Sequence, residues 1–392
     1  MSNRPLYVAG GVAVSYAAMM ALAIAVNLAP VFLTTLSHDL GGASGLTKEQ
    51  LGRIPAVIFT GLVVGILVAG PLADRLGAKP FAVLGNLLIS AGLAMLGTAG
   101  SYAAVLGASF VMGAGAGVLD MVLSPIVCAL QPNRKTSAMN WLHSFYCTGA
   151  VATVLIGSLA LAHGIGWRAI SLWMTLMPAG VALGFLAVPI PPLVSEGKQR
   201  TRLRELIRVP AFLVTLAAIF LGGATELGMA QWLPAYAEDA LEYSKLTGGM
   251  SLLAFSVAMA VGRIAVGMMG PRLNAVRLMF HLCWMSVVLF LVGSFAPIAP
   301  VALAACILAG LTGSCLWPSI LGVAADEFPQ GGASMFAMLA AMGNFGGVFM
   351  PWVVGVTADH SSMHWGLATG AVCPLLLAAI LVWMSRRRRS PA

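Results

Sequence analysis

Two carboxylic acids in this chain stand where a carboxylate is costly. Of the 13 Asp+Glu, most lie in polar interruptions or at the ends of long apolar runs; Asp120 and Glu226 lie well inside such runs. An acid at the centre of a bilayer costs about 3 kcal/mol on insertion, so its presence needs a reason. Asp120 reads as a carboxyl group that loads a proton on one side of a membrane and releases it on the other. A structural carboxylate hydrogen-bonded to a neighbouring helix is the competing reading. Glu226 and Arg263 are the charged residues in the core of the second half, in adjacent runs. A neutralising ion pair fits them, and removing either partner would leave the other unbalanced. A binding or gating role for Glu226, or a second proton-coupling carboxylate there, fits equally. Arg263 in a cavity could also grip an anionic substrate through two nitrogens.

Uncharged polar groups extend this set. Asn140, His143, Ser144 and Cys147 recur at i, i+3, i+4 and i+7, which is one face of a helix. In lipid such a face must meet a cavity or another helix. An amide beside an imidazole suits hydroxyl-bearing solutes, since both donate and accept; interhelical hydrogen bonding is the alternative. Asn27, Gln231, Trp232, Trp317 and Asn344 are the remaining cavity residues expected from sequence. Gln231 follows Glu226 by five residues, a spacing that a regular helix would separate unless Pro234 bends it. The other histidines show no ligand spacing with His143, so no metal site is expected. The glycines Gly113, Gly115 and Gly117 have no strand before them and no Gly-Lys-Ser/Thr after them. They suit close helix packing, not a phosphate loop.

These side chains need apolar elements to hold them, and the composition provides little else. The 392 residues are 59% hydrophobic and 9% charged, whereas soluble domains carry about 25% charged residues. That excludes a soluble enzyme, a secreted scaffold and a disordered chain. Apolar runs long enough to cross a bilayer as helices, about 20 residues each, number twelve: 9–36, 50–70, 80–98, 102–130, 138–162, 168–191, 210–236, 247–270, 274–296, 299–324, 332–357 and 363–385. Continuous rather than alternating apolarity excludes a β-barrel. The first run is too long for the core of a signal peptide and is expected to span. All six cysteines fall inside apolar runs and read as small hydrophobes.

Twelve spans put both termini on one side. With the N-terminus inside, Arg4, Arg75, Lys79, Arg134, Lys135, Lys198, Arg200, Arg202, Arg204, Arg208, Arg272, Arg277 and Arg386–Arg389 are cytoplasmic. Only Lys48, Arg53, Arg168 and Lys245 are then outside. The positive-inside rule therefore orients the chain with cytoplasmic termini. The net charge of +8 sits in these short clusters, so it does not point to nucleic acid. The tail Arg386–Arg389 reads as a headgroup anchor. Pro192 to Arg208 is the longest polar interruption and divides the chain into residues 1–191, a central loop 192–209 and residues 210–392. Its basic stretch suits either a short interfacial helix or a plain linker.

The two halves look related. At an offset of 197, Gly70, Arg75, Leu76 and Ala78 coincide with Gly267, Arg272, Leu273 and Ala275. Gly113, Leu119 and Gly149 likewise coincide with Gly310, Leu316 and Gly346. A duplicated six-helix bundle with its substrate site between the halves at mid-membrane follows. Under the same offset Trp317 takes the place of Asp120, so it faces either the same cavity or, as a membrane tryptophan, an interface. The segment Gly70-x-Leu72-Ala73-Asp74-Arg75-x-Gly77-x-Lys79 resembles the loop 2–3 signature of the major facilitator superfamily. Gly115-x-Gly117-x-Leu119-Asp120-x-x-x-Ser124-Pro125 is similar to a span-four motif of its fucose/glucose–proton symporter branch. Asn140-x-Leu142-His143-Ser144-Phe145-Tyr146, Gly223-Ala224-Thr225-Glu226, Trp232-Leu233-Pro234-x-Tyr236 and Pro351-x-x-x-Gly355-x-x-Ala358-Asp359 resemble the same branch. Three departures stand out. Span one has Asn27 where fucose-type members carry a carboxylate. Span four lacks the arginine, and span five the Gly-Pro signature, of drug–proton antiporters.

The resemblance implies an all-α polytopic membrane protein of twelve helices in two pseudo-symmetric six-helix bundles. It would be a non-enzymatic, monomeric multi-pass transporter of an inner or plasma membrane, with no cofactor beyond a proton gradient. Its partners would be a small polar solute, such as a monosaccharide, together with protons and lipid. Asp120 and Glu226 are the coupling residues, and Asn27, Asn140, His143, Tyr146, Glu226, Gln231, Trp232, Arg263, Trp317 and Asn344 the binding residues. Gly70, Asp74, Arg75, Gly77 and Lys79 form a conformational switch in which Asp74 caps a helix or pairs with an arginine. An exporter of amphipathic compounds, which the 22 methionines would suit, and a uniporter are the alternatives.

Overall fold

A backbone in hydrocarbon has no water to bond, so each apolar stretch must satisfy its own N–H and C=O groups, and a helix does this within one segment. The computed structural model describes residues 4–42, 45–46, 48–192, 201–269 and 274–387. The loop residues 193–200, Arg272 and Leu273 of the repeat, and Arg388 and Arg389 of the basic tail lie outside the described residues.

The first half comprises α1 (Arg4–Val31), α2 (Leu33–Leu40), α3 (Lys48–Leu76), α4 (Ala78–Gly97), α5 (Tyr102–Leu130), α6 (Lys135–Ala162), α7 (Trp167–Met174) and α8 (Leu176–Ala187). The short α9 (Leu203–Leu206) sits in the central loop. The second half comprises α10 (Pro210–Ala235), a π turn (Tyr236–Ala240), α11 (Lys245–Met269), α12 (Ala275–Phe295), α13 (Ala299–Gly313), α14 (Leu316–Glu327), α15 (Gly332–His360), α16 (Met363–Thr369) and α17 (Val372–Arg387). Among the described residues twelve helical segments are long and apolar enough to cross a membrane, as the hydropathy pattern predicts.

Three of these spans are broken, and each break has a proline four residues beyond it. Proline lacks the N–H that would bond the carbonyl of residue i−4. Pro178 leaves Met174, the last residue of α7; Pro318 leaves Ser314, between α13 and α14; Pro374 cannot bond Gly370, between α16 and α17, whose carbonyl accepts from Cys373 N at 3.3 Å instead. The helix is not obliged to break, since α5 and α15 run unbroken through Pro125 and Pro351. The sixth, tenth and twelfth spans are thus jointed where continuous runs were expected, and the first run bends at Phe32.

The described chain forms two compact units. One holds Met1–Pro132, Phe145–Arg200 and Gln330–Ala337; the other holds Asn133–Ser144, Thr201–Pro329 and Met338–Ala392. The first turns of α6 therefore belong with the second-half helices, and the first turns of α15 with the first-half helices. In the first unit α5 is the centre, packed on α1, α3 and α4. Its glycines allow this. A Cβ on Gly113 or Gly117 would overlap the carbonyls of Ile58 and Leu62 in α3. A Cβ on Gly61 or Gly65 of α3 would overlap those of Phe110 and Ala114. Two small-xxx-small stripes thus interlock, the arrangement that lets helix backbones approach in a membrane.

In the second unit the end of α12 is tied by side chains. The last carbonyls of a helix have no partner within it. Fully buried Tyr236 donates its phenol hydrogen to Gly293 O at 2.7 Å, and His364 Nδ1 donates to Ser294 O at 2.7 Å. His364 Nδ1 also lies 2.9 Å from the Tyr236 oxygen. Tyr236→Phe should therefore cost about 1–2 kcal/mol, the penalty of a buried group left without its bond. A thermal unfolding midpoint in detergent equal to that of the unsubstituted protein would contradict this.

Candidate functional site

Arg263 is the most demanding side chain of the second unit. It lies in α11 with 2% of its surface exposed, and a guanidinium offers five donors and cannot shed its charge. Three elements answer it. Nη2 donates to Glu226 Oε2 of α10 at 2.7 Å, an ion pair whose side chains are 3% and 12% exposed. Nε donates to Ser314 O at 2.9 Å, the carbonyl that Pro318 leaves free at the α13–α14 joint. Nη1 donates to His143 O of α6 at 3.2 Å. Glu226 and Arg263 are therefore paired, the first of the two readings their spacing allowed.

Beside them, the α6 face presents polar atoms with nothing to bond. Asn140 is fully buried, and its Nδ2 donates to Thr136 O at 2.9 Å and to Ser319 Oγ of α14 at 3.0 Å. Among the described residues its Oδ1 has no partner, and neither has Nε2 of buried His143. Ser144 and Cys147 on the same face are buried too. Buried polar groups normally find partners, so two unmet atoms one turn apart beside an ion pair mark a place able to hydrogen-bond a polar ligand. Among the described residues no three His, Cys, Asp or Glu side chains converge as metal ligands would.

The other second-half residues sit less uniformly. Trp317, half-buried in α14, lays its ring against Gly223 of α10 and Gly343 of α15, where any Cβ would meet it. Trp232 donates its indole N–H to Pro351 O at 2.8 Å and packs over Gly355. Asn344 donates to Ala340 O of its own helix at 2.9 Å. Gln231 is exposed, and α10 continues as an α-helix through Pro234 to Ala235 before the π turn begins.

In the first unit Asp120 is half-buried along α5. Asn27 of α1 donates to Ala23 O at 2.8 Å, which leaves its Oδ1 as the acceptor turned outward from that bond. Tyr146 is half-buried one residue past Phe145, whose ring stacks on Tyr16 at 4.6 Å. Sequence reasoning missed Asn86 of α4. It is fully buried, donates to Ala82 O and keeps an unpaired Oδ1; its signal was an amide inside an otherwise apolar run.

The loop after α3 is built around Asp74. Its Oδ1 accepts from Ala333 N at 2.7 Å, and its Oδ2 accepts from Ser334 N at 3.0 Å and from the Ser334 hydroxyl. These are the free N–H groups of the first turn of α15, so Asp74 caps that helix, where a negative charge is favoured by the helix dipole. Gly70 lets α3 approach Ala337 more closely than a Cβ would permit. Gly77 has φ +85, a conformation natural to glycine. Lys79 donates to Leu186 O at 3.0 Å, and Arg75 is exposed. The second unit has its own tie, absent from the sequence reading: Lys135 at the start of α6 pairs with Asp326 at 3.1 Å and donates to Ala325 O at 2.9 Å.

Comparison with known proteins places this geometry. The family model for the Major Facilitator Superfamily matches residues 12–283, more than half of the chain. Multidrug resistance protein MdtL of Klebsiella pneumoniae (strain 342) is 27% identical over 175 residues, 44% of this chain and 43% of that protein. The match thus spans less than half the length of that relative. The crystal structure of the E. coli fucose:proton symporter FucP superposes with a TM-score of 0.79 at 19% identity, over 97% of this chain and 98% of that one. The proton:xylose symporter XylE, bound to 6-bromo-6-deoxy-D-glucose, gives a TM-score of 0.83 at 13% identity, over 97% and 96%. At these identities the structures show a shared fold.

The Arg263 cluster makes a sharp claim about coupling. Glu226→Gln and Arg263→Met should each destabilise the protein by about 3–5 kcal/mol, because each strands a buried charge or its partners. The double variant should lose less than either single one. Additive losses in a thermal double-mutant cycle would show that the two side chains do not act as a pair.

Proposed function

The chain belongs to the major facilitator superfamily, and from that premise we propose that it is a secondary active transporter. In this reading it moves a small polar solute, such as a monosaccharide, by alternating access with proton symport. One observation carries the reading. Twelve spans need no polar interior for their own stability, yet the second unit buries Arg263 and Glu226 next to unpaired atoms of Asn140 and His143. Such groups favour a solute rich in hydroxyls, which can donate to the amide oxygen and exchange hydrogen bonds with imidazole. In this reading Asp120 carries the proton, since an ionisable residue inside a span is a functional candidate by default. Glu226, held by Arg263, positions the binding groups. The FucP and XylE structures, named as proton symporters, support this assignment of class.

In this proposal the basic clusters set cytoplasmic termini. The α3–α4 loop, the start of α6 and the start of α15 then lie at the cytoplasmic end. Asp74 holds the first turn of α15 and Lys135 holds the start of α6 against α14. In this reading both ties bear on access from the cytoplasmic side.

A second reading, export of amphipathic compounds, is favoured by the match to MdtL, named a multidrug resistance protein. A thermal-shift screen of monosaccharides, carboxylates, nucleosides and amphipathic cations at two pH values separates the two, because stabilisation follows ligand concentration over affinity. Shifts confined to amphipathic cations would overturn the solute importer. Asp120→Asn should retain the thermal shift of the bound solute but lose accumulation driven by a pH gradient in proteoliposomes. Accumulation that survives the substitution removes Asp120 from coupling. Asp74→Ala should raise the labelling rate of a cysteine placed at Thr136 by an impermeant maleimide on the cytoplasmic side. An unchanged rate would mean that the helix cap does not control access.

A further inference from the structure

A second site lies far along the helices from the Arg263 cluster. Where α10 runs out through its π turn, the end of α12 and the start of α16 surround a cavity of about 550 Å³. One wall is aromatic: Phe295 and Trp365 stand edge to face at 4.9 Å, with 45% and 58% of their surfaces exposed. Polar side chains complete the lining. Ser294 is 1% exposed, and its Oγ has no partner among the described residues. His364 is held by the fixed carbonyl of Ser294, which can only accept, so Nδ1 carries the hydrogen of that bond. Glu242 contributes the one carboxylate of the lining. Its φ of +58 is a conformation that glycine or asparagine adopts far more readily than glutamate. Backbone strain of this kind collects at ligand clamps.

Aromatic rings and a carboxylate lining one cavity are the groups that hold an organic cation. The ring faces attract the charge and the apolar body, while the acid accepts its hydrogens. We propose that this cavity binds a primary ammonium group carried on an apolar body. The same chemistry has two sources, a free arylalkylamine and the headgroup of an aminophospholipid. The site is separate from the transport reading and stands or falls without it.

Calorimetry on the full-length protein in phosphatidylcholine nanodiscs, with phenethylammonium as the probe, tests the site. Glu242→Gln and Trp365→Ala should each weaken binding about tenfold or more, and neutral 2-phenylethanol should bind about tenfold more weakly than the ammonium. His143→Ala, in the other cluster, should leave the affinity unchanged. Glu242→Gly relieves the backbone while removing the carboxylate, so it should fold with an unshifted melting point and still lose the probe. Equal binding of the alcohol, full affinity in Glu242→Gln, or a loss only in His143→Ala would each overturn the site. Adding phosphatidylethanolamine to the discs then identifies the source. Competition between phosphatidylethanolamine and the probe supports the headgroup, and binding without competition supports the free amine.

Discussion

The second unit is organised by the need to keep one guanidinium satisfied away from water. Arg263 draws a carboxylate from α10, a backbone carbonyl from the α13–α14 joint and another from α6. None of these would be available by accident. The carbonyl of Ser314 is free because Pro318 cannot bond it, and the joint at that point is tolerable because Arg263 does. A break that would be a defect in an isolated apolar helix here becomes the acceptor for a charge that would otherwise be prohibitive. Each irregularity removes the cost of the other, so a change at Pro318 or Arg263 is felt at both.

The number and approximate limits of the spans were legible in the sequence because hydropathy over about 20 residues reports directly on the bilayer. The interlocking glycines of α3 and α5 were partly legible, since Gly113, Gly115 and Gly117 read as packing residues; their partners Gly61 and Gly65 were not identified. The Glu226–Arg263 pair was one of two readings the sequence left open, and its bond is visible only in the geometry. The bond from Asp74 to Ser334 joins residues 260 apart, and no local pattern announces a contact at such separation. The joints were missed for a different reason. Proline at i+4 permits a break without requiring one, as unbroken α5 and α15 show, so the decision rests with the surrounding packing.

The internal repeat, read from scattered identities, has a structural counterpart that those identities did not include. Ser137 and Ser334 coincide at the same offset of 197. Ser334 donates to Asp74 at the end of α3, while Ser137 donates to the Gly267 carbonyl near the end of α11. The two hydroxyls do the same job in their respective units with different acceptors. The tie in the first unit ends on a carboxylate, and the one in the second unit on a backbone carbonyl. The repeat has therefore preserved the hydroxyl and the position while the chemistry it meets has diverged.

The division of α6 and α15 between the two units bears on biosynthesis. The first unit contains Gln330–Ala337, and the second contains Asn133–Ser144. When a ribosome has released the first six spans, Asp74 has no helix to cap, and the polar face of α6 has neither Ser319 nor Arg263 beside it. Neither unit can be finished as a half-chain. The early spans must wait in the membrane as a partly satisfied bundle, and the last third of the sequence completes both units together.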